Sequence, residues 1–167
     1  GRCGELSGVS FCVSEQDVTI GDLTLTPVAV PHDAREPCQF VVAGGEHRLG
    51  ILTDLGSITS FVIEHFRDCD ALVLEFNHDP ELLETGRYPY SVKRRVAGDW
   101  GHLNNQQSAS LLAELNTERI QRLVVAHISE QNNRRDLAEL ALHSVFPDSS
   151  RVTWACQVAG FDWLSLD

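Results

Sequence analysis

Four short apolar runs, LTLTPVAVPHD, HRLGILTDLG, DALVLEFNHD and QRLVVAHIS, each stop at a side chain able to bind a metal or move a proton. Such runs, rich in Val, Leu and Ile and closed by polar residues, read as buried strands. If they belong to one α/β sheet system their ends are neighbours. His32, Asp54, His78 and His127 are then expected at one edge, where folds of this class place ligands. A single strand-end histidine is commonly just a hydrogen-bonded surface residue. The same placement four times over, once in NHD and once in TDLG, carries the signal.

The order of elements is β-rich at first and then alternates. Val18, Ile20, Leu23, Leu25, Val28 and Val30 supply the apolar positions of two strands joined at IGD, and CQFVVAGGEHRLGILTD reads as a hairpin turning at Gly44 and Gly45. Ser57 is placed to cap a helix through SITSFVIEHFRDC, with Ile58, Phe61, Val62 and Phe66 at helical spacing. After the strand DALVLEF come a short helix near PELLETG and an irregular or helical stretch, YPYSVKRRVAG. A helix capped by Asn104 or Asn105 precedes the strand RLVVAH, and RRDLAELALHSVF reads as an amphipathic helix. RVTWACQVAG is expected to close the sheet, with FDWLSL as an edge strand. His65 and His143 fall inside helical segments and His47 beside the GG turn, which suits structural or solvated roles.

At 167 residues and 43% apolar, the chain can build one core and does not call for a second. Its 13 basic and 24 acidic side chains leave a formal charge of -11, which argues against a protein coated in positive potential for non-specific nucleic-acid binding. A nucleic-acid enzyme that meets phosphate through metals and a local basic patch stays compatible with that charge. Cys3, Cys12, Cys38, Cys69 and Cys156 form no C-x-x-C pair, so neither a zinc knuckle nor a disulfide framework is supported. No apolar run approaches the roughly 20 residues that span a bilayer, and a cytoplasmic location is the expectation. Gly-rich phosphate loops and the G-x-S-x-G elbow are absent, and no Cys–His spacing singles out a nucleophilic pair.

PHDAREPCQF, TDLG and VVAHIS, with EFNHD, YPYSVKRR and GHLNN between them, together resemble the metallo-β-lactamase superfamily, most closely its branch of WalJ-type exonucleases and other phosphodiesterases. The resemblance implies an α/β fold, part of a four-layer αββα sandwich of mixed sheets with flanking helices. It implies His32 and His127 as terminal ligands and Asp54 as the bridging carboxylate of two divalent ions, zinc or manganese. His102 in GHLNN resembles the family histidine that approaches the scissile phosphate, and His78 would flank the same pocket. The family's upstream H-x-H-x-D-H loop has no counterpart, because the sequence holds neither H-x-H nor D-H. Residues 1–167 are therefore expected to be the C-terminal portion of a single domain, its N-terminal portion belonging to the same polypeptide. A divergent protein that lost the loop is the competing reading.

The implied activity of the intact protein is metal-dependent phosphodiester hydrolysis, in the first place DNA exonuclease action. The alternatives are an RNA-processing endonuclease, a small-molecule cyclic phosphodiesterase, or a catalytically silent scaffold or binding domain. Arg87, Lys93, Arg94 and Arg95 form the densest basic cluster and are candidates for substrate phosphate, with Tyr88 and Tyr90 interleaved for stacking on a base. Asp33 and Glu75 are local candidates to hold the second ring nitrogens of the ligating histidines. Nucleic acid or another phosphodiester is the expected partner, and association with further copies of the chain is compatible with this reading.

Overall fold

The computed structural model describes residues 16–167. Seven strands form one mixed sheet in sequential order: β1 Val18–Ile20, β2 Leu23–Ala29, β3 Cys38–Gly44, β4 His47–Leu52, β5 Ala71–Glu75, β6 Arg122–Ala126 and β7 Val152–Trp154. The first four pair antiparallel, β1 with β2 and β3 with β4 through tight turns where Gly21 and Gly45 take positive φ, and β2 with β3 through the loop of residues 30–37. From β4 onward the pairs are parallel. Those links carry the helices that parallel crossovers require: α1 Ser60–Phe66, then α2 Pro80–Thr85, α3 Tyr90–Val96 and α4 Asn105–Glu114, then α5 Arg135–His143.

One sheet face holds the core. Leu52, Leu72, Leu74, Leu123 and Val125 pack against Val62 and Phe66 of α1, Leu111 and Leu112 of α4, and Ala138 and Leu142 of α5. Gly50 sits where α1 presses closest to the sheet, and any Cβ there would meet Phe66 and Leu72. On the opposite face Leu49, Val73, Arg122 and Val124 close with Phe161 and Leu164 around a cavity of about 450 Å³.

Several local expectations change. The α1 cap is Thr59, whose side chain accepts from the Val62 amide at 3.2 Å, because the helix begins three residues after Ser57. Asn104 caps α4 in a reciprocal capping box with Gln107. YPYSVKRRV is helical, as α3, and FDWLSL forms no strand. Ile20 and Leu23, read as apolar strand positions, stand exposed on either side of the β1–β2 turn. Cys3 and Cys12 lie outside the described residues, and Cys38, Cys69 and Cys156 are free thiols.

Candidate metal centre

Strand direction assembles the site. β2 is antiparallel to β3 and β3 to β4, so β2 runs the same way as β4, β5 and β6, and all four reach their carboxyl ends at one edge. His32 follows β2, Asp54 follows β4, Glu75 ends β5 and His127 follows β6. Three of the four expected side chains meet: Asp54 Oδ1 lies 3.8 Å from His32 Nε2 and 3.7 Å from His127 Nδ1. Separations of 22 and 73 residues along the chain thus close onto one carboxylate oxygen. Asp54 and His127 both hold positive φ, 55° and 51°, a conformation uncommon for non-glycine residues and entered more readily by Asp and His than by most.

His102 joins the same group. Its Nδ1 stands 3.9 Å from Asp54 Oδ1, and its ring centroid is 5.1 Å from that of His32 and 5.0 Å from that of His127. The loop carrying it is strapped to the strand ends. Asn77 N–H donates to Leu103 O and Asn105 N–H to His78 O, while His102 N–H donates to Val96 O at the end of α3.

The residue that organises these rings is Glu75, fully buried at the last position of β5. One carboxylate oxygen accepts from the Leu55 and Leu103 amides at 3.0 and 3.3 Å. The other meets Nδ1 of His102 at 3.1 Å and Nδ1 of His127 at 3.2 Å. Burial alone would raise its carboxyl, but the bonds from His102, His127 and Leu55 outweigh it and hold the group below its ordinary value. In return, the bond to Glu75 lifts the His127 imidazole above its usual range against the opposing effect of burial. The sequence marked Glu75 only as a possible outer partner. A carboxylate closing the otherwise apolar run ALVLE was the available signal.

The donor set suits a divalent cation. His32 Nδ1 is held by Gly101 O at 2.9 Å and His127 Nδ1 by Glu75, which fixes both rings and leaves each Nε2 without a hydrogen bond among the described residues. Imidazole nitrogens beside a carboxylate are ligands that zinc and manganese accept. Two overlapping groups have ligand atoms within 4.8 Å of one another: His32, Asp54 and His102, and Glu75, His102 and His127.

Gly101 has no room for a side chain. A Cβ there would run into the carbonyl oxygens of Arg95 and Val96, which belong to α3 and cannot swing aside. Gly101→Ala should therefore cost about 1–3 kcal/mol in denaturant unfolding, as overpacking does. It should also lower metal affinity, because Gly101 O holds His32; unchanged unfolding would show that the α3 loop yields freely.

The remaining candidates divide among four places. His78 is almost fully buried beside this cluster rather than in it; burial first, then repulsion from His102, pushes its imidazole down to about 4, so it is neutral at pH 7. Arg95 forms a two-pronged ion pair with Asp33, next to His32, and the pairing holds the Asp33 carboxyl below its ordinary value. Lys93 and Arg94 line a cavity with His78, whereas Arg87 is exposed. Tyr88 lines an open cleft of about 360 Å³ with His102 and His127, and Tyr90 stands on the other side, in the His78 cavity.

No helix among the described residues is long and apolar enough to cross a membrane. Residues 10–128 match the family model described as the β-lactamase superfamily domain. The chain is 34% identical over 139 residues to exodeoxyribonuclease YycJ of Bacillus anthracis, covering 83% of this chain and 53% of that protein. It is 29% identical over 124 residues to exodeoxyribonuclease WalJ of Streptococcus pneumoniae, covering 74% and 46%. In structure it is similar to the metallo-β-lactamase fold protein YhfI of Bacillus subtilis, with a TM-score of 0.65 and 21% identity over 93% of this chain and 54% of that one. The chain spans about half the length of the curated relatives it matches. A mixed sheet whose parallel strands end in His, Asp, Glu and His, matched by that family over most of its length, makes this chain a member of the metallo-β-lactamase superfamily, in the branch of YycJ and WalJ.

Proposed function

We propose that the chain is the C-terminal portion of a metallo-β-lactamase-like domain and that the complete domain is a metal-dependent phosphodiesterase, acting in the cytoplasm as a DNA exonuclease. The observation that carries this reading is the convergence of His32, His102 and His127 on one oxygen of Asp54, all within 4 Å. In it, His32, Asp54 and His127 ligate divalent ions, zinc or manganese, with further ligands from the N-terminal portion. The names of the relatives, both exodeoxyribonucleases, favour DNA over other phosphodiesters. Such ions, when bound, lower the pKa of an attacking water and neutralise charge on the phosphoryl group.

The protein's own contribution is orientation and a proton. Glu75 fixes Nδ1 of His102, which turns the opposite edge of that ring toward the cleft it lines with His127. A histidine held this way by a carboxylate can protonate a departing oxygen near neutral pH. His78, buried and neutral, is better suited to hydrogen bonding with substrate than to giving up a proton. Arg95 holds Asp33 beside His32, and Lys93, Arg94 and Arg87 are left to meet flanking phosphates.

The test is His102→Ala in the full-length protein. Turnover of a single-stranded oligonucleotide should fall about 10²-fold or more, as expected for loss of a proton donor, with metal content close to wild type. Wild-type turnover in H102A would remove His102 from the reaction. A wild-type protein that folds, binds no metal and cleaves nothing would favour a silent binding domain.

A further inference from the structure

A second cavity, of about 430 Å³, opens beside the metal cluster between α2, α3 and the start of α4. Its size is ordinary for a small-molecule pocket, roughly 300–1,000 Å³. Pro80, Leu83, Ala97 and the Tyr90 ring supply apolar wall, and His78 and Asn104 supply polar groups. Lys93 and Arg94 bring positive charge, and Arg94 lies over the Tyr90 ring at 5.9 Å.

One feature shows this to be more than a basic surface. Behind the wall His78 is only 1% exposed, whereas Tyr90 is 72% exposed, an aromatic face left open on the cavity wall rather than packed into the core. An apolar wall with an open aromatic face suits a base, and ammonium and guanidinium groups suit the phosphate attached to it. A base in a duplex keeps both faces stacked and its pairing edge occupied, so this arrangement suits an unpaired residue.

The geometry points to a nucleotide subsite: one unpaired nucleotide of the strand, next to the one being cleaved, lays its base on Tyr90 and its phosphate on Lys93 and Arg94, while Asn104 hydrogen-bonds its polar edge. The identification of a strand rests on the phosphodiesterase reading; the recognition of a base with its phosphate does not. Glu84, whose carbonyl accepts from Lys93 Nζ, contributes a carboxylate to the same rim and disfavours a second phosphate there.

Isothermal titration of the full-length, metal-loaded protein tests this with deoxythymidine monophosphate, inorganic phosphate and a trinucleotide as probes. The nucleotide should bind at least about tenfold more tightly than inorganic phosphate, which shares its affinity for the metals but has no base to stack. Tyr90→Ala, at an exposed position that should not disturb folding, should weaken the nucleotide and the trinucleotide about tenfold and leave inorganic phosphate unchanged. Lys93→Gln should weaken the nucleotide as well. Equal binding of nucleotide and phosphate, or wild-type nucleotide affinity in both variants, overturns the proposal. Dependence on Tyr90 for the monophosphate but not for the trinucleotide would assign the cavity to a free nucleotide and overturn the strand assignment. Oligonucleotide cleavage by the same preparations separates the two readings. Cleavage without base-dependent binding removes the subsite alone, and base-dependent binding without cleavage removes the nuclease alone.

Discussion

Replacing Asp54 with Asn should empty the metal centre while leaving the fold in place. Asparagine has the shape of aspartate and is among the few residues that tolerate a φ of 55°, so the turn after β4 has no reason to change. Among the described residues a single side-chain hydrogen bond is at stake, from Thr53 Oγ1 to Asp54 Oδ2 at 3.1 Å. What disappears is the negative charge on which three imidazoles converge. Lewis-acid stabilisation by bound metal amounts to several kcal/mol, so turnover should fall about 10³-fold or more together with metal content. Elemental analysis beside oligonucleotide turnover checks this. Full metal content and activity in D54N would place the ions elsewhere.

The second large effect is expected at Glu75. In Glu75→Gln the amide keeps one oxygen for the Leu55 and Leu103 N–H groups but turns an NH2 toward the Nδ1 atoms of His102 and His127, setting donors against donors. Both rings must change tautomer or move, and water cannot reach the amide to relieve the mismatch, because Glu75 is fully buried. Loss of a carboxylate that orients metal-binding histidines commonly costs about 10–100-fold in metal affinity or activity. Leaving buried donors unmatched adds about 1–3 kcal/mol of lost stability. Metal titration and denaturant unfolding of E75Q should both move. If neither does, Glu75 is a passive buried acid and the ring geometry has another origin.

Much of this site could be read from strand ends alone. An apolar run closed by a ligating residue fixes where that residue will stand once strand direction is known. Four such runs bring His32, Asp54, His78 and His127 to one sheet edge; three of these side chains meet, and His78 is buried beside them. Glu75 was legible as a partner for a ligating histidine's second nitrogen, the contact it makes with His127, but its other partners Leu55, His102 and Leu103 lie 20, 27 and 28 residues away and two of them act through backbone amides, which carry no sequence signal. The basic cluster was visible as composition but not as geometry. α3 turns about 100° per residue, so Arg94 and Arg95, adjacent in sequence, part company: one lines the His78 cavity and the other pairs with Asp33 beside His32. FDWLSL reads as a strand by its apolar content, yet β7 already closes the sheet and the segment instead covers part of the face opposite the helices.

Metal-edge anomalous diffraction from crystals of the full-length protein loaded with zinc or manganese tests the central claim most directly. Peaks should appear within about 2.0–2.2 Å of a nitrogen of His32, an oxygen of Asp54 and a nitrogen of His127, with Glu75 behind the rings and outside coordination distance. Ions bound away from all three of these side chains, or no peak at the ends of β2, β4 and β6 in protein that cleaves phosphodiesters, would contradict it.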